Sequence, residues 1–363
     1  MNRERPDVLV VGLGPAGGCA AAASAKAGLD VLAIDRRRRA GTPVQCAEFV
    51  PMMIARDVEG VGAATAQLIR RMVTVVEQAD PEETPDFHGR IIDRARFDGM
   101  LAQEAARQGA TCRFGTALQQ VTPDGTLILS DGSACRPRLV IGADGPRSRI
   151  GAAIGEVNRD IVETRQVTVS LTSPHDATDI FLRADYHGGY GWLFPKGPWA
   201  NVGIGVSVGQ RHRLKPLLFA LHAELAVIGR VGTAAIALTG GAIPVGGRVR
   251  AVGRIASTAV LLAGDAAGLT NPVTGAGIAS AVQSGTLAGR AAAEWLGGRQ
   301  GALDEYEEEL SDVFDAGLAR ARRRRHATLA SYRRAARPDA EVLRAGWIAS
   351  PRYWEARSEG AEP

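Results

Sequence analysis

The run Asp7-Val8-Leu9-Val10-Val11-Gly12-Leu13-Gly14-Pro15-Ala16-Gly17-Gly18 decides the fold of the chain's first unit. Val8 to Val11 form a continuous apolar stretch of the kind a fully buried strand shows. Gly12, Gly14 and Gly17 follow as G-x-G-x-x-G, and the alanine-rich stretch ending at Gly28 predicts a helix. A second strand over residues 30–34 completes a β-α-β unit. Such a unit gathers backbone N–H groups and the positive end of a helix dipole at one point, where a pyrophosphate fits. Asp35 ends the second strand with a carboxylate that can accept from a ribose. Together these features predict an α/β, doubly wound, Rossmann-like domain that holds an adenine dinucleotide.

Outward from that start, residues 97–108 predict a helix, and 111–121, 126–130 and 139–141 predict strands. Gly142-Ala143-Asp144-Gly145 follows the last of them. From about residue 155 the texture changes. Residues 161–171, 178–184, 189–195 and 200–208 alternate apolar and polar between turn residues, as an antiparallel sheet does. Thr258 to Ala263 is again a continuous apolar strand, followed by Gly264-Asp265, a loop of small residues and a helix from Gly277 to Leu296. The expected organisation is a nucleotide-binding domain over 1–154 and an inserted antiparallel-sheet substrate domain over 155–255. A return segment of the first domain spans 256–300, and a C-terminal helical segment spans 301–363.

Composition narrows the functional classes. With 363 residues, 45% of them hydrophobic and 23% charged, the chain reads as a globular protein of two or three domains. A net charge of +4 and 5% aromatics supply no basic groove with stacking rings, so no nucleic acid is expected. The four cysteines, Cys19, Cys46, Cys112 and Cys135, lack C-x-x-C spacing, which argues against a metal site, an iron–sulfur cluster or a disulfide framework and suits a reducing cytoplasm. Glycines interrupt the apolar run at the start, so a signal peptide is not expected, and no transmembrane helix is predicted.

The return segment bears on which dinucleotide is bound. Asp265 follows an apolar strand, so its carboxylate can hold sugar-alcohol hydroxyls. A helix opening near Gly277 aims its N–H groups at whatever lies beside it, favouring negative charge by about 0.3 to 2 kcal/mol. Anionic reduced flavin is such a guest; a capped helix packed on glycine is the plainer alternative.

Four segments carry a resemblance: the GxGPAG start, Asp93-Arg94-Ala95-Arg96-Phe97-Asp98, Ala143-Asp144-Gly145-Pro146, and Gly264-Asp265 with its Asn271-Pro272-Val273-Thr274-Gly275-Ala276-Gly277-Ile278 sequel. They resemble the FAD-dependent oxidoreductases related to p-hydroxybenzoate hydroxylase. Within that superfamily, Pro43-Val44-Gln45-Cys46-Ala47-Glu48 is similar to the geranylgeranyl reductase family. So, more specifically, is Tyr190-Gly191-Trp192-Leu193-Phe194-Pro195-Lys196-Gly197 with Asn201-Val202-Gly203. The resemblance implies FAD as cofactor and reduction of carbon–carbon double bonds in isoprenoid chains. It places Gly12, Gly14, Pro15, Ala16, Gly17 and Asp35 at the adenosine and diphosphate half, with Arg94 near the diphosphate and Leu118 near adenine. It sets Asp265, Gly275, Gly277 and Ile278 at the ribityl and isoalloxazine end, and makes Cys46, Ala47 and Phe49 a loop passing the flavin.

Tyr190, Trp192 and Phe194 fall on one face of a strand that Pro195 closes, a face suited to a prenyl chain or, equally, an aromatic core cluster. Cys46 stands where the family carries a cysteine near the flavin, in a C-A-E loop rather than C-G-E. It is either a proton donor or an inert buried thiol. Glu48 is either a general acid or a partner that fixes the loop. The Arg36 to Arg39 run reads as a solvated loop. Residues 304–315 hold seven acids and 316–337 eight arginines, the order a helix dipole prefers. The arginine density also suits peripheral contact at the inner face of a membrane, with Trp347, Tyr353 and Trp354 as anchors or docking residues.

The expected function is therefore an FAD-dependent reductase of an isoprenoid or lipid substrate, with Cys46 or Glu48 donating a proton. NAD(P)H, ferredoxin and another flavoprotein all remain open as electron donor. The alternative is an FAD-dependent monooxygenase acting on an aromatic or polyketide-like substrate. An electron carrier and a non-enzymatic flavin- or lipid-binding module follow behind.

Overall fold

A computed structural model describes residues 3–335 and 337–355 of the chain. Val8–Val11 lies inside a six-stranded sheet, which explains its unbroken burial. In spatial order the strands are Val252–Ile255, Thr258–Leu262, Leu139–Gly142, Val8–Val11, Val31–Asp35 and Thr111–Phe114. All neighbours run parallel except the outermost pair, where Val252 faces Leu261 in a hairpin. The strands over 8–11 and 258–262 are separated by about 250 residues yet share Leu139–Gly142 as common neighbour, so the return segment completes this sheet.

Two helices lock this closure. Pro15–Lys26 crosses Ile278–Leu296 so closely that a Cβ at Gly285 would stand 2.1 Å from the Ala16 carbonyl oxygen, and one at Gly289 2.6 Å from that of Ala20. Only glycine permits that approach, and it brings the starts of both helices to one side of the sheet.

The stretch 111–121, expected as one strand, is two. Thr111–Phe114 stays in the parallel sheet, Gly115 turns the chain at φ +76°, and Leu118–Val121 joins a separate four-stranded sheet with Leu127–Leu129, Ala134–Cys135 and Arg3–Glu4.

The second domain is an eight-stranded, mostly antiparallel sheet. Its main path runs Ala237–Thr239, Ile161–Ser170, Trp199–Ser207, Gly191–Lys196, Ala177–Leu182, Arg71–Val76 and Glu82–Thr84, and Ala242–Pro244 pairs with Ile161–Ser170. Residues 71–84 thus lie in this sheet although the sequence reading gives them to 1–154. Arg71–Val76 pairs in parallel with Ala177–Leu182, a contact about 100 residues long that no local pattern announces. One face of the sheet buries Val167, Leu193, Val202 and Ile204 against Leu214, Leu218, Leu221 and Leu225 of the helix Leu214–Val227. The other face carries Trp192 and Phe194.

The C-terminal segment runs through Ala302–Leu310, a π-helical turn Ser311–Asp315 and Ala316–Ala335, and then the short helices Ala340–Ala345 and Pro351–Trp354. Among the described residues no helix is long and apolar enough to cross a membrane.

Candidate flavin and substrate site

The glycine loop is held from several sides. Gly12 has φ +99°, and a Cβ there would stand 2.3 Å from the Ala143 oxygen; one at Gly17 would reach the Gly12 oxygen at 1.7 Å. Gly14 differs, because a Cβ there meets nothing within 4 Å and opens instead onto free space. Asp35 orders the same loop, accepting from Leu13 N at 2.8 Å through Oδ2 and from Arg37 N at 2.7 Å through Oδ1. Each oxygen keeps a second lone pair for an outside donor. Arg37 is spent on Gln45 at 2.9 Å, while Arg36, Arg38 and Arg39 are exposed. Leu118 is buried in the core of the parallel-sheet domain, and its carbonyl accepts from Arg149 at 3.0 Å.

Across the helix pair, a Cβ on Gly264 would stand 2.9 Å from that of Ala16, so the glycine loop and the return segment abut. Asp265 accepts from the Thr270 hydroxyl at 2.9 Å through Oδ1. Burial pushes its carboxyl above the usual range, opposed by Thr270 and by the charge of Arg94. Asn271 accepts from Val273 N and Thr274 N, and Gly275 at φ +69° completes the turn into Gly277. The helices Pro15–Lys26 and Ile278–Leu296 start at Gly14 and Gly277. Neither has a side-chain cap or an acid in its first turn. Two uncapped helix starts on one side of a sheet leave orphan N–H groups that an anionic, two-ended ligand satisfies. The diphosphate and flavin ends of FAD fit these two positions, with Asp35 and Asp265 available to the sugar hydroxyls.

Between them passes the segment 45–49. Glu48 has φ +71° and is 2% exposed. Its Oε1 accepts from Arg94 N at 3.0 Å and from Lys196 Nζ at 2.9 Å, and its Oε2 from Lys196 Nζ at 2.9 Å and Asn201 Nδ2 at 3.0 Å. Cys46 Sγ accepts from Glu48 N at 3.2 Å, and the Cys46 carbonyl accepts from Gln166 Nε2 at 2.9 Å. Arg94 forms a bidentate pair with Asp98, 2.9 Å for each bond, and its charge acts on Cys46 and Asp265 alike. Burial raises the Cys46 thiol above the ordinary cysteine value, partly offset by Arg94, so the group is a protonated thiol at neutral pH.

Beside this loop runs an arc of aromatic rings. Phe87 stacks on Phe49 at 5.3 Å, Phe49 lies 6.0 Å from Phe194, Phe194 6.4 Å from Trp192, Trp192 5.7 Å from Tyr190, and Tyr190 4.9 Å from Trp347. Tyr190 donates its hydroxyl to the Thr274 oxygen at 2.6 Å, which ties the arc to the turn before Gly277. Pro195 is buried after Phe194. Gly203 leaves the room Trp192 occupies, since a Cβ there would meet the indole at 2.2 Å. Lys196, Asn201 and Gln166 are the members of this site that sequence reasoning left without a role. The first two stand inside the Tyr190–Gly203 signature, and Gln166 gives no local signal.

A two-ended dinucleotide cradle on a Rossmann-like sheet, beside an aromatic-faced antiparallel sheet, defines a flavin-dependent oxidoreductase. The sequence profile of the FAD binding domain matches residues 5–321. The chain belongs to the geranylgeranyl reductase family of FAD-dependent oxidoreductases, and FAD is its cofactor. It is 33% identical to digeranylgeranylglycerophospholipid reductase 2 of Methanococcoides burtonii, covering 84% of this chain and 80% of that one. It is 34% identical to digeranylgeranylglycerophospholipid reductase 2 of Methanopyrus kandleri, covering 86% and 85%. A geranylgeranyl bacteriochlorophyll reductase-like protein of Thermoplasma acidophilum superposes with a TM-score of 0.82 at 26% identity, covering 94% of this chain and 90% of that one. PqsL, a probable FAD-dependent monooxygenase of Pseudomonas aeruginosa, superposes with a TM-score of 0.70 at 17% identity over 94% and 99%, a likeness of fold alone.

Proposed function

We propose that the protein reduces carbon–carbon double bonds of an isoprenoid chain carried by a lipid. The observation that carries this reading is the continuity of the aromatic arc with the Cys46 loop: Phe49, three residues beyond Cys46, packs on Phe194 of the signature strand. Apolar rings along this path bind a hydrocarbon chain without asking for hydrogen bonds, and they bring it past a thiol that keeps its proton. The reductases of Methanococcoides and Methanopyrus, whose names specify a digeranylgeranyl lipid, support the same class of substrate.

In its reduced form FAD supplies the hydride. Gly12 to Gly17 and Asp35 hold its adenosine and diphosphate half, and Asp265, Gly275, Gly277 and Ile278 its flavin half. Cys46 provides the proton for the second carbon. Glu48 does not share that task, because both its oxygens already accept from cationic or amide donors; it fixes the loop. The walls of Tyr190, Trp192, Phe194 and Pro195 orient the chain and exclude water. Exposed arginines on the Ala316–Ala335 helix support contact with the lipid surface that presents the substrate.

The test is anaerobic: chemically reduced enzyme is mixed with a panel of prenyl lipids, and flavin reoxidation is followed with mass analysis of the product. The expected product is heavier by two hydrogens for each bond reduced. Reoxidation only with oxygen, and a hydroxylated product, would establish the monooxygenase reading instead.

A further inference from the structure

Trp192 is 6% exposed and Phe194 7%, so something covers the proposed substrate wall. Part of the cover is Phe49 and Phe87. A further part comes from the end of the C-terminal segment, where Leu343 and Trp347 lie beyond the residues the FAD binding domain profile matches. Leu343, inside the helix Ala340–Ala345, and Trp347, just past its end, both enter the cluster with Trp192, Phe194, Ile180 and Met72. They are 7% and 4% exposed. Trp347 ends the aromatic arc: its ring stands 4.9 Å from Tyr190, whose hydroxyl holds the Thr274 oxygen. Its Nε1, like that of Trp192, is buried without a hydrogen-bond partner among the described residues. The indole therefore fills space and makes no polar anchor of its own there.

The segment is fastened from outside. Asp339 caps its helix through Val342 N at 2.8 Å, and Arg344 pairs with Glu82 and Arg352 with Glu341 at the surface. Arg324 donates to the Tyr353 and Glu355 oxygens at 3.1 and 2.7 Å. None of these polar contacts involves the indole of Trp347.

We infer that Trp347 is a specificity-determining residue, the stop that limits how long an isoprenoid chain the aromatic arc accepts. The inference rests on the isoprenoid reading above and extends it to a named side chain outside the FAD binding domain. An indole has bulk of the order of one isoprene unit, so its removal frees room for a longer chain at the end of the arc opposite Phe87. Methylene-scale differences in an apolar pocket are worth roughly tenfold or more in discrimination.

The experiment compares the wild type with Trp347→Ala and Trp347→Phe, each loaded with FAD and checked for an unchanged flavin spectrum. Two series are measured with prenyl alcohols and phosphates graded by isoprene units: anaerobic kcat/KM, and binding of the saturated analogues by flavin difference spectra. Trp347→Ala should raise the preference for a chain one unit longer than the wild-type optimum at least roughly tenfold in both series, with Trp347→Phe between. Length profiles identical to wild type in the variants would overturn the assignment of Trp347 while leaving the isoprenoid reading intact. If the wild type neither binds nor reduces any member, the isoprenoid reading itself fails. Should Trp347→Ala lose its flavin, Leu343→Ala and Trp347→Phe carry the same comparison.

Discussion

Lys196 Nζ stands 2.9 Å from each carboxylate oxygen of Glu48, reaching it from the end of the strand that bears Trp192 and Phe194. Asn201, on the next strand, completes the grip at 3.0 Å. Glu48 is a non-glycine residue at φ +71°, a conformation that costs free energy and persists only where neighbours over-determine it. The lysine and asparagine of the signature thus fix the backbone between Cys46 and Phe49, and they tie the strands Gly191–Lys196 and Trp199–Ser207 to that loop.

Removing Lys196 leaves a carboxylate 2% exposed and short of its cation. Lys196→Ala should destabilise the protein by roughly 3 kcal/mol, as breaking one side of a buried pair does. Glu48→Gln should cost less, about 1 to 2 kcal/mol, because the amide oxygen can still accept from one of the two neutral donors, Arg94 N or Asn201 Nδ2, and the freed ammonium reaches water. Urea unfolding of both variants measures the difference. Equal and small losses would show that the ion pair does not hold the loop.

Cys46 gives a prediction with a pH sign. Its thiol is raised chiefly by burial, so it stays protonated through the range where an ordinary cysteine of pKa about 8.5 begins to ionise. Turnover should be level across neutral pH and fall only as pH climbs past that value. Stability should also drop there, since the unfolded thiol releases its proton first. Cys46→Ala should retain FAD but lose roughly 100-fold or more in substrate-dependent reoxidation. Full turnover in that variant would make Cys46 a packing residue.

Sequence alone carried the nucleotide fold far, because its signals are local: a buried strand, three glycines and an acid within a few dozen residues. The return of Thr258–Leu262 to the same sheet was legible for the same reason, as an apolar run ending in Gly264-Asp265. The membership of Arg71–Val76 in the second sheet was not, since its partner Ala177–Leu182 lies about 100 residues away and parallel pairing leaves no turn signature. The helix Leu214–Val227 was also missed. Glu48 was legible as a candidate with two readings, general acid or loop-fixing partner; its four donor contacts were not, because they come from Arg94, Lys196 and Asn201, brought together only by the fold.

Gly14 and Gly17 separate cradle from scaffold. A Cβ at Gly17 collides with the Gly12 oxygen at 1.7 Å, so Gly17→Ala should fail to fold or lose several kcal/mol. Gly14 has an ordinary φ of −77° and open space where a Cβ would go. Gly14→Ala should therefore keep the apoprotein's melting behaviour yet weaken FAD binding at least tenfold, because the methyl intrudes on the ligand's space. Thermal melts and flavin titration decide it, and undiminished affinity in Gly14→Ala would place the diphosphate elsewhere.

The Ala316–Ala335 helix spends its arginines unevenly. Arg325 reaches Ser207 Oγ at 3.2 Å, Arg324 the tail carbonyls, and Arg320 lies 5.2 Å over the Trp354 ring. Arg322, Arg323, Arg333 and Arg334 are exposed and have no ion pair among the described residues. The eleven-residue interval within each of the pairs 322/333 and 323/334 is close to three helical turns, so the four form two rows along the helix about 100° apart. Each arginine near an anionic leaflet is worth about 1 kcal/mol, and the attraction is screened by salt. The protein should co-sediment with phosphatidylglycerol vesicles at low ionic strength, release as salt rises, and lose most of that binding in the double variant Arg323→Glu/Arg334→Glu. Neutral phosphatidylcholine vesicles should retain little in every case. Binding indifferent to salt and to these substitutions would assign membrane contact to another face, and no binding to either vesicle would remove it.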